Sequence, residues 1–197
     1  MRVVLRGGLE IEDPLETTIG FVEAYPAYDS RDSRPGSFDE SDLRHANRGG
    51  ARISAAQIAA ILERRARIER ALRAIAPDAS LAEASIPWDP LTRLFDAFAD
   101  ISGVGFSKMT KALHPKRRAL IPMLDSVVQS YLAIDETSAP FAERATALVE
   151  SYKEDLDRNL AALRQVQRGL VGRGYQALTE VRLLDVLIWS AYAPARR

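Results

Sequence analysis

Between Ser54 and Ile75, the residues Ile58, Ile61, Leu62, Ile68, Leu72 and Ile75 recur at intervals of three, four or their sums. Only an α-helix carries side chains at that spacing on one face. Ser54 and Gln57 have the spacing of a capping box, and Ile53 and Ile58 can close a hydrophobic staple around it. The same period returns after Asp89-Pro90 (Leu91, Leu94, Phe95, Phe98, Ile101), after Ser138-Ala139-Pro140 (Phe141, Ala145, Leu148, Tyr152, Leu156, Leu160, Leu163) and after Thr179 (Val181, Leu184, Leu187, Ile188). The stretch that follows Pro140 is long for one globular helix, so a break is expected near Lys153–Asp157.

Shorter signals fill the rest. Arg2–Asp13 holds two brief runs around Gly7-Gly8 and reads as a small β-hairpin. Asp13, Pro14 and Glu16 mark a helix start, Ala27–Ser37 is a polar loop, and a short helix around Ser41–Asn47 ends before Gly49-Gly50. The count is about eight helices with no fixed-period repeat and no alternation of strand and helix. The expected fold is all-α: a two-lobed, multi-helix bundle forming a single domain over residues 1–197. Trp88, Trp189, Phe95 and Phe98 are read as core residues, whereas Tyr25, Tyr28 and Phe38 sit in or beside a polar loop with fewer places to hide.

Composition removes several kinds of chemistry. With no cysteine in 197 residues, disulfides, thiolate metal sites and a cysteine nucleophile are excluded. The two histidines, His45 and His114, form no metal-binding pair and no recognisable Ser-His-Asp set, and are read as surface or helix-end residues. Met1–Gly8 lacks the apolar core of a signal peptide and no run is long enough to span a membrane, so a cytoplasmic protein is expected. The 27 basic and 27 acidic residues cancel, so any affinity for nucleic acid must come from local clustering.

One segment is clustered in that way. Of four lysines in the chain, Lys108, Lys111 and Lys116 fall within nine residues, and Ser107 to Leu124 contains no acid while Arg117 and Arg118 join the lysines. The segment opens on Gly103-Val104-Gly105. A glycine there can take the positive φ that ends one helix and starts another, aiming unpaired N–H groups outward. Backbone amides beside Lys and Arg are what a sequence-independent phosphate contact requires. The candidate nucleic-acid contacts are therefore Gly103, Val104, Gly105, Ser107, Lys108, Lys111, Lys116, Arg117 and Arg118. Asp125, the first acid after them, is either a helix cap or a substrate-facing carboxylate. The arginine-rich face of the Ser54–Ile75 helix reads as solvated.

Residues 98–132, with "ADISGVGFSKMTKAL" running toward "LIPMLDSVV", resemble the helix-hairpin-helix segment of DNA glycosylases related to endonuclease III, and place that element at about 90–133. The resemblance implies a hairpin that holds double-stranded DNA by its amides, often with a monovalent cation and no other cofactor. It also implies that Asp125, twenty residues past Gly105, is the catalytic carboxylate that assists departure of a base. Ser107 falls where lyase-competent members carry a Schiff-base lysine, so a monofunctional glycosylase is implied. The chain also resembles an uncharacterised, largely actinobacterial family with a basic pair (Arg117-Arg118), Leu120-Ile121-Pro122, Asp125, and an Arg-Leu-Leu-Asp-like helix ending in Trp (Arg182–Trp189). Two rival readings stand beside the enzyme: a non-catalytic module that keeps the hairpin for DNA or protein contact, and a partner protein, for instance in bacterial defence, that touches no nucleic acid.

Overall fold

The computed structural model describes residues 2–25, 29, 34–133 and 138–193; Tyr28 and much of the polar loop around it lie outside these. Two short strands, β1 (Val3–Val4) and β2 (Glu10–Ile11), pair antiparallel with Val3 opposite Ile11 and Val4 opposite Glu10. Gly7 and Gly8 both take positive φ in the turn between them, which explains the glycine pair. Nine α-helices follow among the described residues: α1 (Pro14–Ala24), α2 (Glu40–Arg48), α3 (Ala55–Glu63), α4 (Arg65–Arg73), α5 (Trp88–Asp96), α6 (Phe106–Leu113), α7 (Ser126–Leu132), α8 (Phe141–Gly172) and α9 (Glu180–Tyr192).

The helix starts follow the capping chemistry. Asp13 accepts from the Glu16 N–H, and Ser54 and Gln57 form the reciprocal box at α3. Asp39 and Asp42 form a second box at α2. The stripe expected as one helix from Ser54 is divided at Arg64, where φ −95° and ψ 8° leave helical geometry and the Arg64 N–H turns to Ile61 O. The Arg64 guanidinium reaches across to Ala99 O. The apolar face survives the bend, because Ile61, Ile68, Leu72 and Ile75 are all buried.

The break expected near Lys153–Asp157 does not occur: α8 runs 32 residues without interruption. Within it, the polar residues Asp155 and Asn159 are both buried and satisfied. Asp155 accepts from the Tyr131 hydroxyl (2.7 Å) and ion-pairs with Arg6 and Arg158. Asn159 accepts from the Val4 N–H (2.8 Å) and donates to Val4 O (2.9 Å), tying β1 to the long helix. Buried polar groups with partners cost little, so the helix tolerates them.

Helices α1, α5, α7 and α9 pack on α8, and α1 and α7 also pack on α9. Residues Val181–Ile188 of α9 are buried around the whole circumference, Arg182 and Asp185 included. Phe95 and Phe98 are in the core as expected, and Phe38 joins them edge-on to Phe98 with ring centroids 6.0 Å apart. His45 and His114 are at helix ends, in the last turn of α2 and at the C-cap of α6, but both are buried rather than on the surface. Among the described residues, no helix is long and apolar enough to cross a membrane.

Candidate functional site

The turn after α5 shows why Gly103 is glycine. Its φ is +71°, and a Cβ there would stand 2.4 Å from Gln57 Nε2. Gly105 differs, with φ −95° at the start of α6 and open space where a Cβ would go. Gln57 Nε2 donates to Ser102 O (3.3 Å), and Lys108 Nζ donates both to Gly103 O (2.9 Å) and to Gln57 Oε1 (2.8 Å). The Lys108 ammonium therefore fastens the turn to the α3 N-terminus. The Val104 N–H donates to Ile101 O (3.0 Å), which removes it from the set of outward-facing amides. Ser107 lies half-buried in the first turn of α6, which has no side-chain cap.

The basic run is taken into the fold, and this corrects the reading of Lys116 and Arg117 as phosphate contacts. Lys116 is buried, 2.8 Å from the equally buried Asp42 carboxylate, and donates to Arg34 O. The Arg117 guanidinium is fully buried and donates to the carbonyls of Pro35, Lys116, Leu72 and Ile75. Two of those carbonyls belong to the C-terminal end of α4 and its continuation, where a cation is favoured. Arg118 is half-buried and donates to Asp29 O (3.2 Å).

Beyond the run, the segment leading to Asp125 is pinned on three sides. His114 Nδ1 lies 2.7 Å from Ile121 O, the Met123 N–H donates to Asp185 Oδ2 (3.1 Å), and the Leu124 N–H donates to Thr110 Oγ1 (3.0 Å). Asp125 then caps α7, its Oδ1 accepting from the Val127 and Val128 N–H groups at 3.0 and 3.1 Å. Both readings of Asp125 meet here. It is a helix cap, and it also lines an open cleft of about 490 Å³.

Five parts of the chain build that cleft: Phe21 and the C-cap Tyr25 at the end of α1, Arg48 to Gly50 at the end of α2, Lys111 from α6, the Met123–Val128 stretch, and Arg182, Asp185 and Trp189 from α9. The volume lies within the range of small-molecule sites. Phe21, Tyr25 and Trp189 form a cluster, with Trp189 edge-on to Phe21 (5.5 Å) and Tyr25 (5.7 Å). Trp189 is only half-buried, so it belongs to the cleft wall rather than to the core expected for it. The Arg182 guanidinium binds Asp29 through two nitrogens (2.8 and 3.0 Å) and lies 5.3 Å from the Phe21 ring centroid.

Titration in the cleft is perturbed. Burial lowers the Lys111 ammonium below its usual range, Asp125 opposes that shift, and Arg182 and Arg52 add to it. Burial pushes Asp185 up to about 8, against the pull of Arg182 and the Met123 N–H. One perturbed acid and one perturbed base beside aromatic rings make this cleft the candidate binding or catalytic site. Among the described residues no group of three or more His, Cys, Asp or Glu is placed to hold a metal ion.

A family model described as a family of unknown function (DUF6308) matches residues 15–192. The chain belongs to this family. The span matched to DUF6308 takes in every residue that lines the cleft and the whole turn around Gly103. No curated protein and no solved structure matches this DUF6308 chain. Of the sequence candidates, the fold brings only Asp125 and Lys111 into the cleft; Lys108, Ser107 and Gly105 lie about 4.5, 6 and 9 Å from Lys111 toward the start of α6 at about 1.5 Å per residue, and Gly103 precedes that helix. Phe21 and Arg48 are not singled out by residue type or spacing, and Asp185 enters only as part of the Arg182–Trp189 stretch. The one signal for α9 was the run of Arg182, Asp185 and Trp189, whose three-and-four spacing sets them on one side of the helix.

Proposed function

We propose that the cleft receives a nucleobase and that the protein is a DNA-binding, monofunctional glycosylase-like enzyme with Asp125 as its carboxylate. The observation that carries this reading is the position of Asp125: it lines a cleft that also presents Lys111 and the Phe21–Tyr25–Trp189 rings. Aromatic walls suit a base drawn out of its stack. As the bond between sugar and base breaks, its electron pair leaves on the base nitrogen and positive charge develops on the sugar. A fixed carboxylate facing that charge lowers the barrier. Water then attacks the sugar carbon, and the proton it loses passes to the departed base nitrogen that took the electron pair, so no amine nucleophile is required.

The turn at Gly103, with Gly105, Ser107 and Lys108, supplies the phosphate contact in this reading, along the strand from the base. On this reading the protein works in the cytoplasm on double-stranded DNA. Release of base from duplexes carrying a panel of damaged bases tests it. Asp125→Asn should abolish release while leaving binding; unchanged release means the mechanism is wrong.

A second reading is favoured by one observation, the two backbone N–H groups already held by Asp125 Oδ1. A non-catalytic module needs that residue only as a cap. Asp125→Ser separates the two readings, since serine caps a helix about as well as aspartate but carries no charge. The enzyme loses product with this variant, whereas the module makes none with or without it and keeps its binding.

A further inference from the structure

The rings and Asp125 account for only part of the cleft; its basic side is built where α2 ends. Arg48 is the last residue of that helix. It is exposed and lines the cleft, and its side chain makes no hydrogen bond or ion pair among the described residues. Other charged groups there are engaged: Arg182 by Asp29, Asp125 by two backbone N–H groups and Asp185 by the Met123 N–H. Helix spacing explains the difference. One turn back, Arg44 pairs with Glu40. Arg48 instead has Arg44 and His45 four and three residues before it, and Ala51 and Arg52 three and four after. No acid stands at any of these positions.

A second cation comes to the same wall. Gly49 and Gly50 line the cleft without side chains, and the Lys111 ammonium lies 4.0 Å from where a Gly50 Cβ would stand. Arg52 and Arg182 also act on the Lys111 charge, with Asp125 offsetting them.

We infer that Arg48 and Lys111 form an anion seat in the cleft, and that it takes the phosphodiester adjoining the extruded base. The inference rests on the base-binding reading and adds a second phosphate contact to that of the Gly103 turn. A guanidinium with its N–H donors uncommitted suits a phosphate, which it grips through two oxygens. The cleft volume of about 490 Å³ falls in the range for drug-sized ligands, more than a base alone requires. The seat also serves the chemistry. Unneutralised, Arg48 and Lys111 oppose the positive charge that develops on the sugar. A bound phosphate cancels their field and leaves Asp125 to act.

NMR titration of the full chain tests this, with the Trp189 indole N–H as the reporter in the cleft. Deoxyuridine, deoxyadenosine, deoxyguanosine and deoxyinosine are each compared with their 3′,5′-bis(methyl phosphate), which carries the diesters a strand presents on either side of a base. For any base that binds, the bis-phosphate should bind at least about tenfold tighter, and raised salt should shrink that preference. Arg48→Gln should remove most of the preference and leave the affinity for the neutral nucleoside unchanged. Lys111→Gln should weaken the preference as well. Arg44→Gln, on the same helix but outside the cleft lining, should leave it at the parent value.

A neutral nucleoside that binds as tightly as its bis-phosphate overturns the anion seat and spares the base-binding cleft. A full preference that survives Arg48→Gln or Lys111→Gln overturns the two-cation seat in the same way. If tetrahydrofuran bis(methyl phosphate), which has no base, binds as tightly as all four nucleotides, the base-binding reading falls and the inference with it. Both fall also if no probe shifts the Trp189 resonance.

Discussion

The Lys116 ammonium and the Asp42 carboxylate meet at 2.8 Å with both side chains out of water. Asp42 is also the N3 member of the capping box that starts α2, so one carboxylate serves the Asp39 N–H and the ammonium together. Removing Lys116 leaves that carboxylate buried without its cation. Lys116→Met should destabilise the protein by about 3–5 kcal/mol, and Lys116→Met/Asp42→Asn should recover much of the loss. Urea unfolding of the four proteins checks both statements through their interaction energy.

Arg117 differs from Lys116 because its partners are carbonyls rather than a carboxylate. Its planar fork reaches four of them from three segments of chain. Lysine presents a single point charge and does not reproduce that spread. Arg117→Lys should cost on the order of 2 kcal/mol in stability, with two or more buried carbonyls losing their donor. Because Arg117 is internal, the salt dependence of any duplex binding by the folded variant should match that of the parent protein, a comparison that fluorescence anisotropy makes directly.

His114 and Asp185 give the stability an asymmetric pH profile. Burial lowers His114 to about 4 from 6.5, so between those values the unfolded chain binds a proton the folded one does not, and stability rises with pH. Burial raises Asp185 to about 8 from 3.8, so over that range the folded chain holds the extra proton and stability falls with pH. From about pH 4 to 6.5 the two slopes oppose and cancel. From 6.5 to 8 only Asp185 acts, and stability should drop by about 2 kcal/mol at about 1.4 kcal/mol per pH unit. Asp185→Asn should remove that alkaline drop and leave a rise between pH 4 and 6.5. Denaturant midpoints measured at half-unit pH steps decide it.

Gly103 is the position in the turn before α6 where a side chain is strained. Its φ of +71° costs an L-residue about 1–2 kcal/mol, and a Cβ must also displace Gln57. Gly103→Ala should therefore destabilise by about that amount or more, while Gly105→Ala should be near neutral because its φ is ordinary and the space is open. Thermal melts of the two variants give the contrast.

Much of the helical layout was legible because capping and period are local. Asp13, Ser54 and Thr179 each accept from the N–H three residues on, as their sequence contexts require. Where partners come from far along the chain, residue type misled. Lys116 and Arg117 look like solvent-facing charge until Asp42, Pro35 and the end of α4 arrive around them. Asp155 and Asn159 look like an interruption until Tyr131 and Val4 supply their hydrogen bonds. The cleft was half legible for the same reason. Asp125 stood out as an acid after a basic run, whereas Asp185 resembled an ordinary polar-face residue, and only packing of α7 and α8 against α9 made its carboxyl internal.

The Asn159 side chain also fixes an order of events in synthesis. Its amide serves Val4 as a second strand would, from 155 residues away. A ribosome adding 5–20 residues per second reaches that asparagine roughly 8–30 s after it has made Val4. Throughout that interval the first strand has its hairpin mate alone, and a two-residue ladder does not hold by itself. The hairpin around Val4 is thus secured only after α8 is made, and a nascent chain arrested before α8 emerges should leave that hairpin open to proteolysis.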